Sequence, residues 1–246
     1  MKIVSLNLWG GRIYEPLAEF LKNHQDTDIF CFQEIYHEGT GKDTEFREEV
    51  DLELFTSIGN LLPNHISFFR PHLGDFWGLA TFIKKGVKVL EEGEYFVHKH
   101  KGWQSNENKN FTPKNIQYVK VDINSQYLTM VNFHGHWNGA GKTDTDDRLI
   151  QSDNVIKYMT EIGGPYILCG DFNLLPDTLS IKKFEDFGLR NLIKEYDIKS
   201  TRTSFYKKSH KFADYIFISE KLNVRDFRVL TEEVSDHSAL YLEVKV

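Results

Sequence analysis

The sequence predicts an α/β protein in which mixed β-sheets are faced by helices, and three observations carry that prediction. Short runs rich in Val, Ile and Phe, of strand length and bounded by turn residues, recur at 2–8, 28–35, 65–69, 78–83, 115–123, 127–134, 165–172, 213–218 and 239–246. Helical patterns separate only some of them, over 13–24 and 144–162. Strands that follow one another directly as well as across helices argue against a purely parallel barrel. Finally, 246 residues without an internal repeat, low-complexity tract or linker suit a single domain spanning 1–246.

The elements have local justifications. In 115–123, Val119, Val121 and Ile123 alternate with Lys120 and Asp122, the period of a half-buried strand. Over 144–162, Leu149, Val155, Ile156, Met159 and Ile162 share one helix face, a stripe suited to packing on a sheet. Thr143 to Asp146 reads as a variant capping box at its start. The polar stretch 99–114 reads as a long surface loop, of the kind that often carries substrate contacts.

Composition narrows the function. A net charge of −6 excludes long-range, charge-only attraction to nucleic acid or anionic membranes. It leaves room for a phosphate substrate, because a bound divalent cation can invert the local charge. Cys31 and Cys169 sit in apolar runs and read as small buried hydrophobes rather than a disulfide. Met1 leads straight into a strand and no long apolar span occurs, so the expectation is a cytoplasmic monomer with no membrane segment and no stable protein partner.

Chemistry-bearing residues gather at strand ends. Asn7, Glu34, His134, Asp171 with Asn173, and Asp236 with His237 each end or border an apolar run. Any one of these is an ordinary place for a strand to meet water; together they point to one shared site at the edge of a rigid sheet. Glu34, Asp171 and Asp236 are hard oxygen donors, with Asn7 and Asn173 as neutral ones, a set suited to Mg²⁺ or Mn²⁺. Asp214, opening another apolar run, could orient the His237 imidazole and raise its basicity.

The stretch VNFHGHWNGAGKTDTDD, 131–147, offers competing chemistries. A phosphate-cradling loop needs four residues between its first Gly and the Gly of GK, whereas Gly135 and Gly141 enclose five. His134 and His136 as a zinc pair would need further nitrogen or sulfur ligands. A Ser-His-Asp triad from Asp236, His237 and Ser238 fails because consecutive residues cannot converge, and there is no nucleophile elbow.

VSLNLWG, CFQEIY, VNFHGHW, ILCGDFN, FADYIF and VSDHSAL, in this order, resemble the motif series of the endonuclease/exonuclease/phosphatase superfamily. The resemblance implies the deoxyribonuclease I-like fold, a four-layer sandwich of two mixed sheets packed face to face and flanked by helices, with a metal-dependent phosphoester hydrolase site at one edge. It further implies Glu34 as the main Mg²⁺ ligand with Asn7 and Asp236 beside it, and Asp171 and Asn173 positioning the attacking water. His237, held by Asp214, would act as general base or phosphate ligand, and His134 would bind the scissile phosphate or assist the leaving oxygen. Two positions depart from the pattern: Trp9 stands where abasic-site endonucleases carry an acid, and Lys114 where an arginine is often found. The favoured substrate is a nucleic-acid or nucleotide phosphodiester, with His136, Trp137, Lys114 and Trp103 as contacts and Lys109 and Phe111 beside them. A phosphoinositide phosphatase, a sphingomyelinase-like phosphodiesterase and an inactive binding module on the same scaffold are the alternatives.

Overall fold

Two strands buried on both faces set the architecture, seen in a computed structural model that describes residues 1–42, 49–106, 111–123, 125–139 and 141–245. The chain begins with β1 (Lys2–Asn7), α1 (Tyr14–Asn23), β2 (Ile29–Tyr36), α2 (Leu54–Leu61), β3 (His65–Leu73) and β4 (Trp77–Lys84). It continues with β5 (Lys88–His98), β6 (Lys114–Ile123), β7 (Gln126–His134), α3 (Asp146–Ile162) and β8 (Tyr166–Asp171). It closes with α4 (Leu179–Asp186), β9 (Leu189–Asn191), α5 (Leu192–Glu195), β10 (Asp214–Ser219), β11 (Asn223–Val229) and β12 (Leu240–Lys245). Lys109, and Val246 at the end of the last expected strand, lie outside the described residues.

Val4, Leu6, Phe30 and Phe32 turn to one side and pack with Leu17, Phe20, Leu21, Leu54 and Ile58 of α1 and α2. Ile3, Ile29 and Cys31 turn to the other and join the core shared with β6, β7 and β8. Two mixed six-stranded sheets result, in the orders β11-β12-β1-β2-β4-β3 and β5-β6-β7-β8-β10-β9. On the far side of the second sheet, Val155, Met159 and Ile162 of α3 and Ile181 and Phe184 of α4 complete the layers. Among the described residues no helix is long and apolar enough to cross a membrane.

The expected strands and both expected helices form. The strands that periodicity missed, β5, β9 and β11, are edge strands, where exposed charges such as Lys88, Glu91 and Arg225 break the apolar pattern. The capping box is a correction: Thr145 is the N-cap of α3 and makes no side-chain cap bond. Asp144 instead accepts from Leu179 N (2.7 Å) and Ser180 N (2.9 Å) at the start of α4.

Each sheet has a parallel pair at its centre, β1 with β2 and β7 with β8, in an otherwise antiparallel ladder. Parallel neighbours end at the same edge, so the carboxyl ends of both pairs come together, and in α/β sheets ligands bind outside such ends. Beneath that edge the sheets are joined by buried amides. Gln33 Nε2 donates to Asn132 Oδ1 (2.7 Å), and Asn132 Nδ2 donates to the carbonyls of Phe32 (3.0 Å) and Ala80 (3.2 Å) across the interface. Asn132→Ala leaves Gln33 and these carbonyls without that partner at a buried position, so we expect a loss of roughly 2–4 kcal/mol in urea unfolding. A change below about 0.5 kcal/mol would show the network to be dispensable.

Candidate active site

The strand ends bring Asn7, Glu34, His134 and Asp171 together. His134 is in register with Asp171 on the parallel neighbour, and Asp214, opening β10, lies opposite Asp171 in the antiparallel one. Asp236 and His237 enter just before β12, where His237 bridges to Arg202. Local backbone departs from regular strand to achieve this. Glu34 lies in a register shift between β2 and β4 with φ +58°, and Asn173 has φ +56°, left-handed conformations uncommon for non-glycine residues and typical of sites where function demands a side-chain direction. Gly170 and Gly135 permit the close approach: a Cβ would meet Phe133 O at 1.9 Å and Phe172 O at 2.2 Å respectively.

The floor is a tight set of acids and imidazoles. Asn7, fully buried, donates from Nδ2 to Glu34 Oε1 (3.0 Å) and Asp171 Oδ2 (3.1 Å), while its Oδ1 accepts from Trp9 N (2.9 Å). In this orientation Asn7 holds the carboxylates through its amide hydrogens; its oxygen, expected beside a metal, serves the backbone. Asp171 Oδ1 also accepts from Asn173 N (2.8 Å). Burial opposes the charge of Asp171, yet the surrounding His237 and then Lys142 keep its pKa below the usual carboxylate range. Burial raises that of Glu34, partly offset by the Asn7 hydrogen bond.

His237 donates from Nδ1 to Asp214 Oδ1 (2.8 Å), and Asp214 Oδ2 accepts from Thr201 Oγ1 (2.9 Å). Its Nε2 is left on the floor, 3.6 Å from Asp171 and 3.7 Å from Asp236. Burial works against a charged ring here, but Asp214, with help from Asp171, outweighs it and raises the pKa. His134 is the converse: burial and then Lys114 push its pKa well down, leaving a neutral ring. Its Nε2 stands 3.8 Å from Glu34 and 3.9 Å from Asp171.

This floor fits a hard divalent cation. Glu34, His134 and Asp171 place one ligand atom each within 4.8 Å of one another, and Asp236 Oδ1 is buried with no hydrogen-bond partner. The floor opens into a cleft of about 900 Å³ lined also by Trp103, Lys114 and Trp137, the expected contacts. His136 is not brought there. It is buried, stacked on His98 with ring centroids 4.0 Å apart, and held through its backbone by Gln151 and Arg148. The chain leaves the strand at Gly135, so His134 and His136 do not share a face.

Several lining residues were missed. Trp9, Trp77, Arg12, Lys142, Arg202 and Tyr206 all face the cleft, and Arg202 pairs with Asp236 at 3.1 Å while stacking on Tyr206 at 4.1 Å. Lys142 was visible within the rejected GKT motif, and Trp9 only as a departure. The STRTSFY segment holding Arg202 and Tyr206 adjoins no apolar run and carried no signal.

Paired mixed sheets that end in such a carboxylate and imidazole floor follow the plan of enzymes that hydrolyse phosphoester bonds. The chain belongs to the endonuclease/exonuclease/phosphatase family, whose model matches residues 4–237, and members of that family generally depend on divalent metals. Its fold is similar to an endonuclease/exonuclease/phosphatase from Bacteroides vulgatus at TM-score 0.78 and 16% identity, over 100% of this chain and 98% of that one. It is also similar to a mannosyl-6-phosphatase of Bacteroides thetaiotaomicron at TM-score 0.76 and 20% identity, over 100% of both. The human Nocturnin catalytic domain with bound sulfate aligns at TM-score 0.69 and 18% identity, over 100% of this chain and 94% of that one. No curated protein matches the chain in sequence.

The stacked pair beside the cleft makes stability depend on pH. Burial lowers the pKa of His98 to about 4 and of His136 to about 3, against ~6.5 when unfolded. The unfolded chain therefore binds more protons below ~6.5, so the stability from these neutral rings is complete above that pH and is lost as pH falls toward the folded values. We expect His98→Gln to lose less melting temperature than wild type between about pH 7 and about pH 5. Equal losses would remove His98 from the acid sensitivity.

Proposed function

We propose that this protein is a metal-dependent phosphodiesterase that cleaves nucleic-acid or nucleotide phosphodiesters by in-line attack of water. One observation carries the reading: the acidic floor lies under walls that hold all four tryptophans of the chain, and each indole carries a cation. Arg12 lies 4.8 Å from the Trp9 centroid, Lys114 4.9 Å from Trp77, Lys99 5.4 Å from Trp103 and Lys208 5.5 Å from Trp137. Aromatic faces beside cations suit stacked bases and their phosphates, with Trp103, Trp137 and Lys114 as contacts. The aromatic faces also accept a sugar ring, which keeps sugar phosphates in the test alongside phosphoinositides and choline phosphodiesters.

Glu34, with Asp236 at its side and Asn7 orienting its carboxylate, would hold Mg²⁺ or Mn²⁺. When bound, the ion supplies charge withdrawal from a phosphoryl oxygen. Asp171, ionised and fixed by Asn7 and Asn173, orients water and accepts its proton. His237, protonated and braced by Asp214, donates from Nε2 to a phosphoryl oxygen; a neutral His237 would instead draw the proton from water. His134, neutral, faces the departing oxygen. The same reading takes the protein as a cytoplasmic monomer without a stable protein partner, checked by a single monomer-mass species in sedimentation.

A turnover panel of DNA, RNA, nucleotide, sugar phosphate, phosphoinositide and choline phosphodiester with Mg²⁺ or Mn²⁺ tests the proposal. The expected result is highest kcat/KM on an oligonucleotide or nucleotide diester, abolished by EDTA. Glu34→Gln and His237→Ala should each lower kcat by about 10²-fold or more with the cooperative melt retained. Oligonucleotide binding without turnover would make the protein a binding module, and His237→Ala activity within about tenfold of wild type would remove the role given to that residue.

A further inference from the structure

One buried charge of the cleft makes no close ion pair. Lys142 is 2% exposed, yet among the described residues no carboxylate lies within 4.0 Å of its ammonium group. Among the described residues its side-chain hydrogen bond is a long one, 3.4 Å to Asn173 Oδ1, and the ring it approaches is Tyr206, at 6.0 Å. A buried ammonium without a close counter-ion is costly, and burial brings its pKa down to about 8 although Asp171, and then Asp214 and Asp236, oppose the shift from farther off.

The surrounding chain nevertheless holds this residue firmly. Arg148, 1% exposed, donates to the carbonyls of Gly141 (2.9 Å) and Thr143 (2.6 Å), on either side of Lys142, and to that of His136 (3.1 Å). Leu175 N donates to the Lys142 carbonyl itself at 2.8 Å. A loop held at three successive carbonyls presents one cation to a cleft, next to Asn173, that Lys114 also lines. An ammonium only donates, so it also fixes the Asn173 amide with oxygen toward Lys142 and nitrogen toward Gly135 O (3.3 Å).

We propose that Lys142 is a substrate-binding residue whose ammonium group takes a phosphoryl oxygen on the Asn173 side of the floor. The proposal rests on the phosphoester reading of the cleft. It makes the substrate phosphate the close counter-ion that the distant acids are not: the charge is held out of water, in position, for an anion that completes the pair. The competing role is a strut that only orients Asn173, and the two separate in stability. A substrate-binding charge destabilises the empty protein, so its removal is harmless to folding or better; a strut supports it.

The test is melting temperature as a function of inorganic phosphate at fixed Mg²⁺, for wild type, Lys142→Met and Lys142→Gln. Wild type should be stabilised by phosphate in a saturable way. Lys142→Met should melt at or above wild type without phosphate and bind phosphate about tenfold or more weakly, the scale of one charge-assisted hydrogen bond. Unchanged phosphate affinity in both variants overturns the proposal, and so does a melt well below wild type in both, which would mark a strut. A wild type that phosphate does not stabilise overturns the phosphoester reading itself, and this inference with it.

Discussion

A single amide group joins the two halves of this molecule where its chemistry lies. Asn7 is fully buried, and its two N–H groups reach Glu34 from its own sheet and Asp171 from the other. Two carboxylates this close repel, the more so out of water; a shared donor offsets part of that repulsion with two charge-assisted hydrogen bonds, each worth roughly 1.5–3 kcal/mol. Because Asn7 Oδ1 is committed to Trp9 N, the amide cannot turn away. The same bond sets the left-handed turn at Trp9 and Gly10, so one wall of the cleft follows from the floor.

The cleft brings both signs of charge together. Glu34, Asp171 and Asp236 line it with Arg12, Lys114, Lys142, Arg202 and Lys208, and Asp214 stands behind His237. A chain of net charge −6 thus gathers five cations around an acidic site, and global charge says little about the ligand. Among the described residues the two most buried lysines have no acid at ion-pair distance: Lys114 donates to His72 Nε2 at 3.3 Å, and burial lowers its pKa to about 8, as for Lys142. Such groups cost stability in the empty protein, and a phosphate ligand would relieve both.

Much of the floor was legible because topology makes it so. Parallel neighbours end at one edge, so acids and imidazoles closing successive apolar runs had to meet there, and Asp214 opens an antiparallel strand at the same edge. The walls were not legible, because they depend on how loops pack rather than on period. Arg202 gains its place from Asp236 and Tyr206, and Lys142 from Arg148, a charged residue on the inward face of α3 that an apolar stripe cannot reveal. His136 shows the reverse error: its proximity to His134 in sequence ends at Gly135, where the chain turns its ring onto His98. The side of Asn7 that faces the acids also lay beyond sequence, since an amide offers oxygen or nitrogen and only the Trp9 turn decides.

Locating the ion tests most directly whether the sheet edge holds a divalent cation between the acids it keeps together. Crystals grown with Mn²⁺ and measured at the manganese absorption edge should show an anomalous peak within coordination distance of Glu34, absent in Glu34→Gln crystals. A peak at His98, His136 and Asp147, whose ligand atoms also lie within 4.8 Å of one another, with none at Glu34 would contradict it.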